Sequence, residues 1–317
     1  MRKGIAIVCL IILSFFSLFV GVSQLNLGDL FHLTDLQRLV LFTTRIPRMV
    51  SLLIAGSTMS ICGLLMQNLT QNKFVSPTTG GTMDSARVGI LVAMIFFHDA
   101  TPIQKIVVAF AFALFGTFLF LTLLDRLRVK NKILVPLIGM MFGSVIGAIA
   151  TFLAYQFDLV QNVTSWLQGN FALVTSGSYE LLYISIPLML LAYFYAHHFT
   201  IVGMGHDFAT GMGIRYQWVR GIGLSIVAIS SAVVILTVGS IPFIGLIIPN
   251  LVTIFLGDHL KNSLFATALS GAAFLIICDI ISRVIVAPYE VSVSLIVGVI
   301  GSIVFLYLLF RGGKTSV

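Results

Sequence analysis

Apolar residues run along this chain in long blocks separated by short polar breaks, with no sustained two-residue alternation. The first block extends from about Ile5 to Val20, behind Met1-Arg2-Lys3. Later blocks cover Pro47–Met66, Val88–Phe97, Ile106–Leu124, Leu134–Tyr155, Leu181–His197, Val219–Val238, Phe243–Leu256, Leu264–Ile281 and Val291–Phe310. Most of them approach the roughly 20 residues a helix needs to cross a bilayer. The pattern predicts an all-α membrane protein of about ten transmembrane helices. The third and eighth are short enough to be partly re-entrant. The first block reads as a retained span, because its apolar core is long and no A-x-A cleavage site follows it.

Composition leaves little room for anything else. Hydrophobic residues make up 58% and charged residues 9% of the 317, with a mean hydropathy of +1.09. A soluble domain carries about a quarter charged residues, so the whole of 1–317 is expected to be one transmembrane domain in contact with the lipid bilayer. Cys9, Cys62 and Cys278 all lie inside apolar blocks, where small packing residues are the expected reading.

The net charge of +7 would suggest a nucleic-acid partner in a soluble protein. Here the charges sit in the breaks and follow topology, so no nucleic-acid partner is expected. With the N-terminus inside, Arg38, Arg45, Arg48, Lys105 and Arg283 fall outside and the other 13 of 18 Lys and Arg fall inside. That is the sense of the positive-inside rule. Its strongest anchor is the Arg126–Lys132 run. Ten spans return the C-terminus to the cytoplasm, so both termini are expected there, in the cell membrane.

Catalytic motifs are missing. There is no H-E-x-x-H and no G-x-S-x-G. Gly313-Lys314-Thr315 imitates the end of a phosphate-binding loop but lacks the upstream glycine and a following helix. His197-His198, with His206 nearby, points its rings about 100° apart on a helix and reads as a polar helix end. The chain is therefore not expected to be an enzyme, and neither a cofactor nor a metal is expected.

Ionisable residues within the apolar blocks are few and informative. Asp279 and Arg283 are four apart and share a helix face. They form either an internal ion pair or a site where Arg283 faces an extracellular partner. Arg45-Ile46-Pro47-Arg48 puts Pro47 in a first helical turn between two arginines. Those arginines either anchor the helix at the interface or dock an acidic partner or anionic substrate. Gly139, Gly143 and Gly147 form a stripe along one helix, and Gly298 and Gly301 do similarly in the last. Close helix packing explains both, and a pathway wall or subunit seam is the alternative.

The segment of about 200–218 mixes polar and apolar residues: Gly205, His206, Asp207, Phe208, Ala209, Met212, Gly213 and Ile214 lie in it. Asp207 is placed to cap a short helix and Gly213 to end it. A short amphipathic helix in the cytosol suits docking to another protein. Finally, Gly63-Leu64-Leu65-Met66-Gln67-Asn68-Leu69 is faintly echoed by Gly245-Leu246-Ile247-Ile248-Pro249-Asn250-Leu251.

Taken in order and spacing, these segments resemble the FecCD family of ABC-transporter permeases, the ten-span type II importers for siderophores, haem and vitamin B12. The resemblance rests on Arg45-Ile46-Pro47-Arg48, Ala55-Gly56, Gly63–Gln67, Gly239–Pro249, Gly257-Asp258-His259, Gly271-Ala272, Asp279 with Arg283, and Glu290. It implies that Arg45, Arg48 and Arg283 meet glutamates of an extracellular substrate-binding lipoprotein. It implies that Gly205 to Ile214 couples to a separate ABC ATPase subunit. It also implies that a second permease, a paralogue or another copy, completes the pathway, with spans five and ten lining it. Asn72–Gly80 departs from the family's usual Asn-Pro-Leu-Ala. Asn250 stands where histidine is common, and Ile300 and Ser302 lie where Gly-x-Pro-Phe is frequent. Those variants resemble the Gram-positive iron–siderophore subgroup of the petrobactin type, ahead of haem or vitamin B12. A secondary transporter remains the alternative from another class, although its coupling-ion acids are not evident.

Overall fold

In the computed structural model, residues 2–21, 34–97, 101–127, 134–257 and 259–312 are described. The basic run's Arg128, Lys130 and Lys132, as well as Asp258 and the Gly313-Lys314-Thr315 end, lie outside them. Fourteen α-helices follow in order among the described residues. The long ones are α1 (Arg2–Phe19), α3 (Ile46–Leu69), α4 (Thr82–Phe96), α5 (Pro102–Leu127), α6 (Leu134–Gln156), α11 (Tyr216–Val238), α12 (Ile244–Leu256), α13 (Leu260–Val284) and α14 (Val293–Gly312). The short ones are α2 (Asp35–Val40), α7 (Val160–Leu167), α8 (Ser185–Phe194), α9 (Ala196–Gly203) and α10 (His206–Gly211).

Among the described residues, five helical stretches are long and apolar enough to cross a membrane, or six if the bent pair across Tyr195 counts as one. Gly4–Phe19, Ile244–Leu256 and Val293–Leu308 are apolar but shorter. The expected sixth span is broken: its two halves meet at 64°, with no proline or glycine at the break. The helix α7 was not anticipated. Its eight residues are polar enough to escape a hydropathy window.

Local chemistry sets several boundaries. Thr34 and Gln37 form a reciprocal capping box at the start of α2. A π-helical turn, Leu41–Arg45, runs on into α3, and Pro47 occupies its first turn, where a missing N–H is harmless. At the other end of α3, Gln71 adopts φ 51°, its N–H bonds Asn68 O, and Asn72 N–H bonds Gln67 O. This is a left-handed C-cap that satisfies the last carbonyls.

α3 is the central post. In its most apolar stretch 78% is buried against protein, whereas the figure for α6 is 22%. α3 packs on α13, α11 and α12, and glycines permit the approach. A Cβ on Gly63 would lie 1.8 Å from Gly245 O, and one on Gly56 2.7 Å from Gly271 O.

The α3–α12 crossing also solves a backbone problem. Pro249 inside α12 has no N–H to give to Gly245 O, its partner one turn back. Gln67 Nε2 reaches across from α3 and donates to Gly245 O at 3.3 Å and Leu246 O at 3.2 Å. The two segments that echo each other in sequence therefore pack directly on one another.

Candidate functional site

Two clusters lie at opposite ends of α3, which at 1.5 Å per residue spans about 36 Å. The first gathers Arg45, Arg48 and Arg283. Arg48 is set by the first turn of α3, and Arg283 and Asp279 by the last turns of α13. Asp279 has no exposed side-chain surface. Its Oδ1 accepts from Arg48 Nε at 2.9 Å and faces Arg48 Nη2 at 2.8 Å, while Oδ2 accepts from Arg283 Nη2. Arg48 Nη1 also donates to Glu290 Oε2 at 2.7 Å, in the turn before α14.

The remaining donors go to the end of α1. Arg283 Nη1 donates to Ser17 O at 2.9 Å and Val20 O at 2.6 Å, and its Nη2 to Ser17 Oγ at 2.6 Å. Arg45 Nη1 donates to Leu18 O. These carbonyls close a helix that has no further turn to pair with them, and the helix C-terminus carries partial negative charge. Two arginines thus cap α1, and a shared buried carboxylate balances Arg48 and Arg283. Arg45 and Arg283 are both buried, at 8% and 7% exposure.

The structure brings the three sequence-predicted arginines to one point. It also shows what sequence reading missed: Arg48 and Asp279 are 231 positions apart, and no spacing rule connects them. The Asp279–Arg283 pair was legible, because i,i+4 residues share a helix face.

The second cluster is the 200–218 segment. Gly205 enters it with φ 117° and is itself the N-cap of α10, with no side-chain cap. Asp207 therefore does not cap the helix. It sits in the first turn, exposed, 3.1 Å from His206 Nδ1. Gly213 ends α10 at φ 77°: its N–H bonds Thr210 O, and Ile214 N–H bonds Ala209 O. That pair of bonds is a Schellman cap, which glycine accommodates without strain. Ala209 is buried beneath the helix, while Phe208 and Met212 point outward with Met204 and Trp218. Gln71 Nε2, at the end of α3, donates to Gly203 O at 2.8 Å and ties this segment to the central post. His197 and His198 are exposed on α9.

The glycine stripes face other parts of this chain. Gly139 and Gly143 are buried, and α6 lies on α4 and the 77–80 turn. A Cβ on Gly143 would lie 2.6 Å from Asp84 Oδ2, and one on Gly147 3.2 Å from Asp84 Oδ1. The stripe is the cradle of the Asp84 carboxylate on α4, a residue the sequence reading passed over. In α14, Gly301 faces Phe243 and Ile247, and Gly298 faces Pro242. The outward faces of both helices are apolar: Met140, Val145 and Phe152 on α6, and Leu295, Val299 and Ile303 on α14.

Residues 9–311 match the FecCD transport family. The petrobactin import system permease protein YclN of Bacillus subtilis is 52% identical over 311 residues, 98% of each chain. The ferric-anguibactin transport system permease protein FatD of Vibrio anguillarum is 41% identical over 308 residues, 96% of this chain and 98% of that one. In solved structures, a chain of an inward-facing transporter assigned to the metal-chelate ABC type superposes with a TM-score of 0.83. It is 22% identical and covers 98% of this chain and 99% of its own. The architecture is accordingly that of a type II ABC importer permease. With a family match across nearly its whole length and multiple apolar helices, this multi-pass membrane protein belongs to the FecCD transport family.

Proposed function

We propose that the chain is the membrane-spanning permease of an ATP-driven importer that moves an iron–siderophore complex delivered by an extracellular substrate-binding lipoprotein. The observation that carries this reading is the end-to-end 52% identity to a petrobactin import permease. A ferric complex of the petrobactin class is the favoured cargo. In this reading the chain crosses the membrane ten times with both termini in the cytoplasm, which puts the arginine cluster outside and α10 inside.

The absence of catalytic motifs supports a separate ATPase subunit as the engine. The outward Phe208 and Met212 on α10 supply an apolar contact for it, and the Gln71–Gly203 bond gives that contact a rigid link to α3. A second permease, a paralogue or another copy, covers the apolar outer faces of α6 and α14. The arginine cluster supplies positive charge for docking the binding protein.

The test is uptake of radioactive iron by cells whose chromosomal permease gene is deleted. The chain and its co-encoded subunits are supplied in trans, with ferric petrobactin-type siderophore, hydroxamate siderophores, haem and vitamin B12 compared. Uptake restricted to siderophore iron, with the ATPase co-purifying, is the expected result. Transport of haem or vitamin B12 alone, or purification without any ATPase, would refute the proposal.

A further inference from the structure

The three arginines of the cluster are not equivalent. Arg45 and Arg283 give donors to main-chain carbonyls at the end of α1, where the helix no longer pairs its own carbonyls. Asp279 is fully buried between Arg48 and Arg283 and has no path to solvent. Glu290 differs from both. It lies in the turn that joins α13 to α14, with its side chain 27% exposed and Arg48 the partner on the other side. The turn around it presents Ile285, Val286 and Tyr289 to the outside. Tyr and Arg are among the residue types enriched at protein interfaces, and exposed apolar side chains supply their buried centre.

We propose that Glu290 is an internal stand-in for a carboxylate of the docking protein, and that docking exchanges it at Arg48. The inference rests on the importer reading above and specifies where its extracellular partner binds. The chemistry favours exchange over simple addition. Arg48 keeps Asp279 in either state, but an Nη1 left without its carboxylate in this largely buried place would lose its hydrogen bond with no compensation. Replacing one carboxylate by another keeps Arg48 paired throughout, and the displaced Glu290 returns to water that it already touches. Among the described residues, three arginines stand against two carboxylates in the cluster, and that balance favours an acidic surface.

Exchange also has a mechanical consequence. Val291 N–H bonds Ser282 O, and Ser292 Oγ and Ser294 N–H bond Gly169 O, so the chain is fixed just after position 290. The Arg48–Glu290 contact is the side-chain strut of that turn. Removing it loosens the 285–290 turn, while the bonds of residues 291–294 still hold the entry to α14, whose glycines pack on Phe243 and Pro242. The docked protein would thereby address the turn between α13 and α14, while Arg45, Arg283 and Asp279 hold α1 and α13 in place.

The experiment measures binding of the co-encoded binding protein to the permease–ATPase complex in nanodiscs. Wild type is compared with Glu290→Gln, with Asp158→Asn as control. Asp158 is exposed in the turn after α6 at φ 54°, which asparagine tolerates, and its variant changes charge equally without touching Arg48. Glu290→Gln is expected to bind about threefold or more tightly than Asp158→Asn, because the competitor is gone and not only because one negative charge is lost. In an Arg48→Gln background the gain from Glu290→Gln should vanish. Equal affinity of the Glu290 and Asp158 variants would overturn the exchange, as would a Glu290→Gln gain that persists without Arg48. Should Arg48→Gln fail to assemble, the first comparison still decides. Failure of the wild-type complex to bind any binding protein would overturn the importer reading and this inference with it.

Discussion

Removing the Asp279 carboxylate should be the most damaging single change in the arginine cluster. Asp279→Ala leaves Arg48 without its 2.8 and 2.9 Å contacts and Arg283 without its counter-charge, at a site where Asp279 is 0% and the Arg283 side chain 5% exposed. Breaking a buried pair by taking one partner costs about 3–5 kcal/mol, since the other charge stays buried. At roughly 2–4 °C per kcal/mol, that predicts a fall of about 10 °C in the melting midpoint. Glu290→Ala removes the other carboxylate from the same Arg48, and because Glu290 is partly in water the expected loss is only about 0–1 kcal/mol. The assay is thermal unfolding of detergent-solubilised protein, followed by tryptophan fluorescence and by size-exclusion recovery after heating. Asp279→Asn, which retains a side-chain oxygen acceptor but no charge, should fall between the two. If Asp279→Ala and Glu290→Ala melt within about 1 kcal/mol of each other, burial does not set the value of these pairs and the reasoning fails.

Other expectations follow from single contacts. Gln67→Leu takes the donor from Gly245 O where Pro249 cannot replace it, and should cost about 1–3 kcal/mol in the same melt, while Pro249→Ala in that background should recover part of it. Gly143→Ala should destabilise more than Gly147→Ala, following the 2.6 and 3.2 Å distances to Asp84, by about 1–3 kcal/mol. Asp84→Ala should suppress the Gly143→Ala defect if the stripe is a cradle, and leave it unchanged if the stripe is a subunit seam. Phe208→Asp and Met212→Asp are both on the outer face of α10, and each should abolish ATPase co-purification without shifting the melt; retained co-purification in both would remove α10 from the contact.

How far the sequence led depends on the range of each interaction. The helices came through wherever an apolar block was long, because hydropathy is a property of the block alone. They were lost where the backbone acts against composition: Leu181–His197 reads as one span yet bends by 64°, and Val160–Leu167 is a helix that no hydropathy window marks. Caps were legible when they depended on one residue's backbone. Gly213 ended α10 as its left-handed preference dictates, whereas Asp207 lost the N-cap to Gly205, whose φ of 117° begins the helix two positions too early for it. The candidate residues were identified as a set, but their partners were not. Arg48 with Asp279, Arg283 with Ser17, and Gln67 with Gly245 are each separated by well over a hundred positions. Such contacts depend on how α3 crosses α12 and α13 and on how α1 meets α13, and the sequence marks the α3 crossings only by the glycines that allow them.

The same contacts bear on the distribution of positive charge. The 13-to-5 division follows the positive-inside rule, yet five basic residues still fall on the outer side, and a docking role is one explanation for three of them. In the proposed orientation three of the five, Arg45, Arg48 and Arg283, share one cluster with Asp279 and Glu290, and Arg45 and Arg283 also cap the end of α1. Among the described residues the cluster holds three arginines and two carboxylates, and Arg38 and Lys105 stand outside it. An arginine held by a buried carboxylate and main-chain carbonyls reports on helix packing more than on topology, so these three weigh little against the inside excess once pairing is counted. It also changes what the docking reading requires. Arg45 and Arg283 are committed to α1 at 8% and 7% exposure, so any direct contact with an outside partner falls to Arg48, the one arginine whose second carboxylate is in reach of water.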